Sequence, residues 1–193
     1  MERDNIIYVK NMVCNRCIKV IQTEFEKLGI NIKNISLGEV QTEEPLEKIP
    51  LKKINEVLVQ NGFEIIEDQK AQIVEKIKNY IIHIIYSNNY PVNENHKFSL
   101  LIESEMNLNY NYLSGLFSSL ESITIEQYII LQKVERVKEL LKYGELTLSE
   151  IAYKLGYSSV QHLSNQFKKV TGFTASQFKS LAGNMRKPLD EVK

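Results

Sequence analysis

Two cysteines three positions apart, Cys14 and Cys17, are the side chains in this sequence best suited to bond-making chemistry. Thiolates are soft ligands, and a pair at this spacing can grip one soft cation or exchange with an external disulfide. Residues 5–12 (NIIYVKNM) have the β-branched and aromatic content of a strand, and Ile18, Val20, Ile21, Phe25 and Leu28 mark an amphipathic helix ending at Gly29. The pair is therefore expected in the loop between them, where unpaired helix amides and the dipole favour thiolate and lower the thiol pKa. Ligand softness favours Cu(I), because a closed zinc site wants about four ligands and this loop alone cannot supply them. The three histidines, His83, His96 and His162, are scattered; His83 falls on an isoleucine-rich helix and His162 on a polar helix face.

A second set of chemically capable residues lies in 149–172, SEIAYKLGYSSVQHLSNQFKKVTG. Ile151, Ala152 and Leu155 fall at helical spacing, and Gly156 closes that helix. Ser158 is placed to cap a second helix with Val160, Leu163, Phe167 and Val170 as its apolar positions. Ser159, Gln161, His162, Ser164, Asn165, Lys168 and Lys169 lie off that stripe. Amides, hydroxyls and ammonium groups bond base edges and phosphates in a major groove, so the segment reads as a helix-turn-helix with a recognition helix. The same spacing also describes an αα-hairpin with a solvated face.

Charge separates these readings. The 193 residues carry 24 Lys and Arg against 24 Asp and Glu, but between positions 151 and 187 stand Lys154, Lys168, Lys169, Lys179, Arg186 and Lys187 with no acidic residue. Unopposed positive charge at the strongest motif is the electrostatic footprint of phosphate contact.

Stepping outward from these residues, the elements that must hold them fall into two domains. After the first strand and helix come segments 30–36 and 39–42, which read as a hairpin around Leu37-Gly38, then a helix at 50–60 with Pro50 in its first turn and Ile54, Val57 and Leu58 inward, then a last strand at 63–66. The order βαββαβ is the ferredoxin-like plan, an antiparallel sheet with two helices on one face. The polar break at Glu67-Asp68-Gln69-Lys70 bounds this domain at 1–68. Residues 69–185 are all-α. They comprise a helix at 72–87 with Ile73, Ile77, Tyr80, Ile81, Ile84 and Ile85 apolar, helices at 97–106 and 109–120, a long helix at 124–142 ending before Gly144, and the motif above, introduced by a capping box from Thr147 to Glu150. A loop at 88–94 contains Tyr90-Pro91, and the polar tail 186–193 is expected to fray. The fold class is α+β, and 43% apolar composition suffices for a core in each domain.

Residues 72–181 resemble the AraC-type DNA-binding domain, which carries two helix-turn-helix motifs joined by a long helix. The resemblance is carried by IAYKLGYSS and HLSNQFKKVTGFTASQF within 151–178, with Ala175 where the family usually has proline, and by Gln132-Lys133-Val134-Glu135-Arg136, which resembles the family's Arg-x-x-x-Ala region. It implies a first motif across 97–120, in which Glu103, Asn107 and Ser122 replace the family's small residue and two glycines. Ser114 and Gly115 occupy positions from which family members reach bases, and from 95 to 126 Lys97 is the sole lysine or arginine against Glu103, Glu105, Glu121 and Glu126. The first motif is thus expected to read little sequence, with Asn109, Asn111 and Tyr112 as its DNA contacts. Residues 1–68 resemble the heavy-metal-associated domain of copper chaperones: MVCNRC matches Met-x-Cys-x-x-Cys, and Asn61-Gly62-Phe63 matches the Gly-aromatic stretch. Asn11 stands where that family has glycine.

The resemblances together imply a bacterial, cytoplasmic transcription regulator that binds double-stranded operator DNA, contacts RNA polymerase, and answers a soft metal ion such as Cu(I) held by Cys14 and Cys17. Thiol exchange and a retained scaffold without ligand are the other readings of the cysteines, and monomer and homodimer both remain open. No secretory signal precedes the cysteines, no apolar run is long enough to span a membrane, and no phosphate loop or paired nucleophile and base indicates an enzyme. The competing class is a metal-trafficking or partner-docking protein whose helical domain no longer reads DNA.

Overall fold

The computed structural model describes residues 5–87 and 98–180, in two compact units, Met1–Asn79 and Tyr80–Lys193. The 88–94 loop, His96, Lys97, Arg186, Lys187 and the tail lie outside the described residues. The first unit runs β1 (Ile6–Lys10), α1 (Asn15–Lys27), β2 (Ile32–Ser36), β3 (Glu39–Thr42), a 3-10 turn (Leu46–Lys48), α2 (Leu51–Gln60) and β4 (Glu64–Ile65). Its four strands form an antiparallel sheet in the order β2-β3-β1-β4. The alternation of β1 explains the packing: Ile7 and Val9 are buried with Val40 against Ile21 and Phe25 of α1 and Ile54 and Leu58 of α2, in one core closed by Met12, Ile49 and Phe63. Pro50 is the residue preceding α2 rather than within its first turn.

α3 (Gln69–Tyr86) begins where the polar break was expected to end the first domain, yet the division between units falls inside this helix, after Asn79. Side-chain contacts give the reason. Glu75 accepts from the Asn11 amide at 3.0 Å, and the Lys76 ammonium meets Glu39 at 2.6 Å while lying 5.0 Å from the Tyr8 ring centre. The Asn79 amide fills the space beside Gly38, where an added Cβ would lie 2.5 Å from its nitrogen. The opening turns of α3 thus belong to the sheet unit.

The second unit contains α4 (Phe98–Met106), α5 (Tyr110–Glu121), α6 (Ile125–Tyr143), α7 (Leu148–Lys154), α8 (Val160–Thr171) and α9 (Ala175–Ser180). α6 is its axis and touches α5, α7, α8 and α9. Ile125, Tyr128, Val134 and Val137 are buried along it, with the Phe117 ring of α5 5.6 Å from Tyr128. Thr124 caps its start by accepting from the Gln127 amide, and the chain leaves it in a left-handed turn at Gly144. The expected capping box at α7 is present in both directions between Thr147 and Glu150. Val170 departs from the periodic reading: it is 38% exposed, because Leu163 and Phe167 already fill the inner face of α8. His83 is exposed among its buried isoleucine neighbours.

Asn11, Asn107 and Ser122, each standing at a position of family glycine, all take positive φ, at 67°, 51° and 61°. A Cβ in the left-handed region costs about 1 kcal/mol, less for Asn, whose side chain tolerates it. Ser122 carries the less compensated strain. Ser122→Gly is therefore expected to raise unfolding stability by about 0.5 kcal/mol after the entropy of glycine is deducted, and Ser122→Val to lower it by about 1 kcal/mol or more, as urea midpoints would show.

Candidate nucleic-acid interface

α8 is built to present a polar face. Its cap is Ser159, not Ser158: backbone at Ser159 is extended, and its hydroxyl accepts from the His162 amide at 3.0 Å. The capping residue is the last extended one before helical backbone, and the turn after Gly156 runs one residue longer than the spacing implied. Ser158 instead lies 3.0 Å from His162 Nδ1, and the Tyr157 ring stands edge-on to that imidazole at 5.4 Å. His162 is thereby held in one orientation. Gln161 donates to Asn165 at 2.9 Å across one helical turn, so the two amides form a paired unit on the exposed surface. Lys168 and Lys169 follow in the last turn, exposed, and Ser164 is half-buried beside them. Leu163 and Phe167 face inward, with Phe167 against Phe178 of α9 at 5.6 Å. The outward face thus offers donors and acceptors at its middle and cations at its end.

The first motif has the same inward packing and a different exterior. Leu113, Leu116 and Phe117 of α5 are buried. Asn109 is used within the fold: its side chain accepts from the Asn111 amide at 3.0 Å and donates to Glu103 at 3.4 Å. Glu103 also accepts from the Tyr110 amide at 3.1 Å, which accounts for a carboxylate where the family has a small residue. The Tyr110 hydroxyl donates to Glu126 at 2.6 Å; burial and that carboxylate push the phenol up, and its hydrogen bond holds the carboxyl down. All three expected contacts, Asn109, Asn111 and Tyr112, are exposed, and among the described residues 98–132 there is no lysine, arginine or histidine.

One residue was not singled out from the sequence. Lys133 of α6 lies 5.5 Å from the Phe98 ring centre at the start of α4 and 5.1 Å from the Tyr157 ring centre in the turn before α8. Its charge thus bridges the two motifs through aromatic faces. Burial lowers its pKa to about 8. The available signal was its place in the segment resembling the family's Arg-x-x-x-Ala region.

The thiols belong to the sheet unit. Cys14 caps α1, and Cys17 is inside its first turn rather than in the loop, with the two sulfurs 3.3 Å apart. Burial pushes the Cys17 thiol up, aided by its hydrogen bond with Cys14; the nearby backbone amides act the other way but do not prevail. This reverses the lowering expected for Cys17. Met12 is fully buried in the core and Arg16 is exposed. Among the described residues no group of three His, Cys, Asp or Glu side chains is placed to hold a metal ion.

Against known proteins, a family model for a helix-turn-helix domain matches residues 102–180, both motifs and the helix between them. That match identifies residues 102–180 as a helix-turn-helix domain. The chain is similar to the Msm operon regulatory protein of Streptococcus mutans, 29% identical over 99 residues covering 51% of this chain and 33% of that protein. It is also similar to the melibiose operon regulatory protein of Escherichia coli, 27% identical over 85 residues, 44% of this chain and 28% of that one. It therefore spans about a third or less of these relatives' length. In fold it is similar to the C-terminal domain of AraT, a response regulator from Geobacillus stearothermophilus, with TM-score 0.50 and 22% identity over 61% of this chain and 91% of that domain. No helix among the described residues is long and apolar enough to cross a membrane.

A buried lysine in the helical unit makes stability depend on pH. With Lys133 near 8 when folded and 10.5 ordinarily, the unfolded chain binds more protons between those values, so stability rises with pH across that window. The two rings favour the charged form and reduce the effect, to about 1 to 2 kcal/mol between pH 7 and 9.5. Urea unfolding at both pH values should show that gain, and Lys133→Met should remove it.

Proposed function

We propose that the protein is a transcription regulator that reads double-stranded operator DNA chiefly through α8. The observation carrying this is the outward face of α8, where the Gln161–Asn165 amide pair and the oriented His162 are followed by Lys168 and Lys169. No acidic residue occurs from 151 to 180. Gln161, His162 and Asn165 contact base edges, with Ser158, Ser159 and Ser164 supplying hydroxyls near them, and Lys168 and Lys169 neutralise phosphates. α5 contributes Asn111 and Tyr112 without a cation, so the second motif carries most of the specificity. The protein acts as a regulator and not an enzyme, within the cytoplasm, and RNA polymerase at the promoter is the partner such a role requires.

The sheet unit, on this reading, is a ferredoxin-like domain of the heavy-metal-associated type that senses a soft ion. Two thiols 3.3 Å apart at a helix N-terminus fit Cu(I), a cation satisfied by few soft ligands, and Cys14 and Cys17 would hold it. The ion would supply only the signal, since no bond of a substrate is made or broken. A partner-docking protein is the second reading, favoured by the acidic composition of the first motif, where Glu103, Glu105, Glu121 and Glu126 occur and the described residues 98–132 contain no lysine or arginine.

Duplex binding by the full chain should fall by orders of magnitude between about 0.05 and 0.2 M salt; a flat series would favour the docking reading. Asn165→Ala should relax preference at one base position, whereas Lys169→Ala should weaken all sequences together and shallow the salt slope by about one. Equal loss of preference in both variants would remove the assignment of roles on α8. Cys14→Ser should abolish tight Cu(I) binding in a chelator competition, and undiminished affinity would place the ligands elsewhere.

A further inference from the structure

The hydrogen bond between Gln161 and Asn165 divides the roles of the two side chains by its direction. Gln161 Nε2 donates and Asn165 Oδ1 accepts, at 2.9 Å. An amide nitrogen carries two hydrogens, and an amide oxygen has two acceptor sites. Gln161 is therefore left with its whole oxygen and one N–H on the same planar group, whereas Asn165 has committed its oxygen to Gln161. A glutamine free in water samples many rotamers; this one is held by a neighbour one helical turn away.

Both side chains point away from the core. At about 100° per residue, the buried Leu163 and Phe167 lie about 40° apart, and Asn165 falls about 180° from the middle of that stripe, with Gln161 about 40° to one side of it. Gln161 and Asn165 are both exposed. Gln161 is also the second residue of α8, and the opening residues of a helix docked in a major groove are those that meet base edges. The cations come later, at Lys168 and Lys169 in the last turn, and no arginine occurs from 151 to 180. The middle of the face thus discriminates with amides.

We infer that the operator carries an A·T pair opposite Gln161, with Gln161 bonding N6 and N7 of adenine and Asn165 positioning Gln161 for that contact. The inference rests on the reading of α8 as the recognition helix given above. Adenine shows an N6–H donor beside the N7 acceptor, the complement of an oxygen beside an N–H. Guanine shows two acceptors there, so the Gln161 oxygen would face an oxygen with no hydrogen between them. Cytosine supplies only a donor and thymine only an acceptor beside its methyl group. A polar group left unpaired at a desolvated contact is costly, so the wrong bases are rejected as well as the right one bound. The Nδ2 hydrogens of Asn165 stay free for the same pair, where thymine offers O4.

The test is selection of random duplexes by the full, reduced chain at about 0.1 M salt, run with the parent, Gln161→Glu, Gln161→Ala and Asn165→Ala. Neither side chain is buried, so circular dichroism of the variants should match the parent. The parent should enrich adenine at one position of its motif. Gln161→Glu exchanges the N–H for a second acceptor and should turn that single position to cytosine, whose N4 donates. Gln161→Ala should leave the position without preference, and Asn165→Ala should weaken its adenine preference about 10-fold without choosing another base. With an adenine analogue carrying carbon in place of N7, the parent should bind about 10-fold more weakly, and Gln161→Ala no more weakly than to adenine itself. Should the added charge of Gln161→Glu prevent selection, the analogue decides. A parent motif with no adenine that Gln161→Ala releases, or a Gln161→Glu shift to a base other than cytosine, overturns the inference and leaves α8 reading DNA through other side chains. Asn165→Ala acting at a different position from Gln161→Ala overturns the positioning role. A parent that enriches no motif overturns the inference together with the reading of α8 beneath it.

Discussion

The burial of α6 is the constraint on which the helical unit depends. Ile125, Tyr128, Val134 and Val137 are withdrawn from water by α5, α7, α8 and α9, so both motifs are organised by one axis. Even its polar residues are enclosed and matched: Gln132 donates to the Tyr128 hydroxyl at 3.0 Å, and Lys138 pairs with Glu135. Such an enclosed pair adds little net stability over apolar packing, but losing one member would leave a buried charge. Lys133 extends the same logic outward, since its position between the Phe98 and Tyr157 rings ties the start of the first motif to the turn of the second.

Folding demands the inner faces and leaves the outer faces free. Leu113, Leu116 and Phe117 on α5 do the same work as Leu163 and Phe167 on α8, filling the space beside α6. The exteriors have diverged under no such restraint: α8 presents amides and cations, whereas α5 presents Asn111, Tyr112, Leu120, small residues and Glu121, with no lysine or arginine. The helix starts show the same divergence. Ser159 caps α8 and leaves its amide side chains available, whereas Asn109, Glu103 and Glu126 tie the beginning of α5 into hydrogen bonds within the unit.

In the sheet unit the thiol loop is held by backbone geometry. Asn11 takes a left-handed conformation, its amide bound by Glu75 of α3 and its side chain by the Gly62 carbonyl at 3.1 Å. Those bonds compensate for a Cβ where the resembled family has glycine, and they set the start of α1 that carries Cys14 and Cys17. The proximity of the sulfurs follows from Cys17 lying one helical turn after Cys14, whereas the upward pull on Cys17 follows from how far the core encloses it.

What the amino-acid order determined by itself was whatever depends on neighbours within one or two helical turns or along one strand. The βαββαβ order, the capping box at Thr147 and Glu150, the left-handed turns at Asn107 and Gly156, and the inward stripe of Leu163 and Phe167 are all of this kind, because capping, φ preference and periodicity act locally. The tertiary structure alone decided whatever depends on residues distant in the chain. It placed Asn79 of α3 with Gly38, enclosed Lys133 between Phe98 and Tyr157, exposed Val170, moved the cap from Ser158 to Ser159, and raised Cys17 where the helix dipole suggested lowering. Burial and pairing are set by which surfaces meet in space, and spacing along one segment does not specify the surface that will cover it.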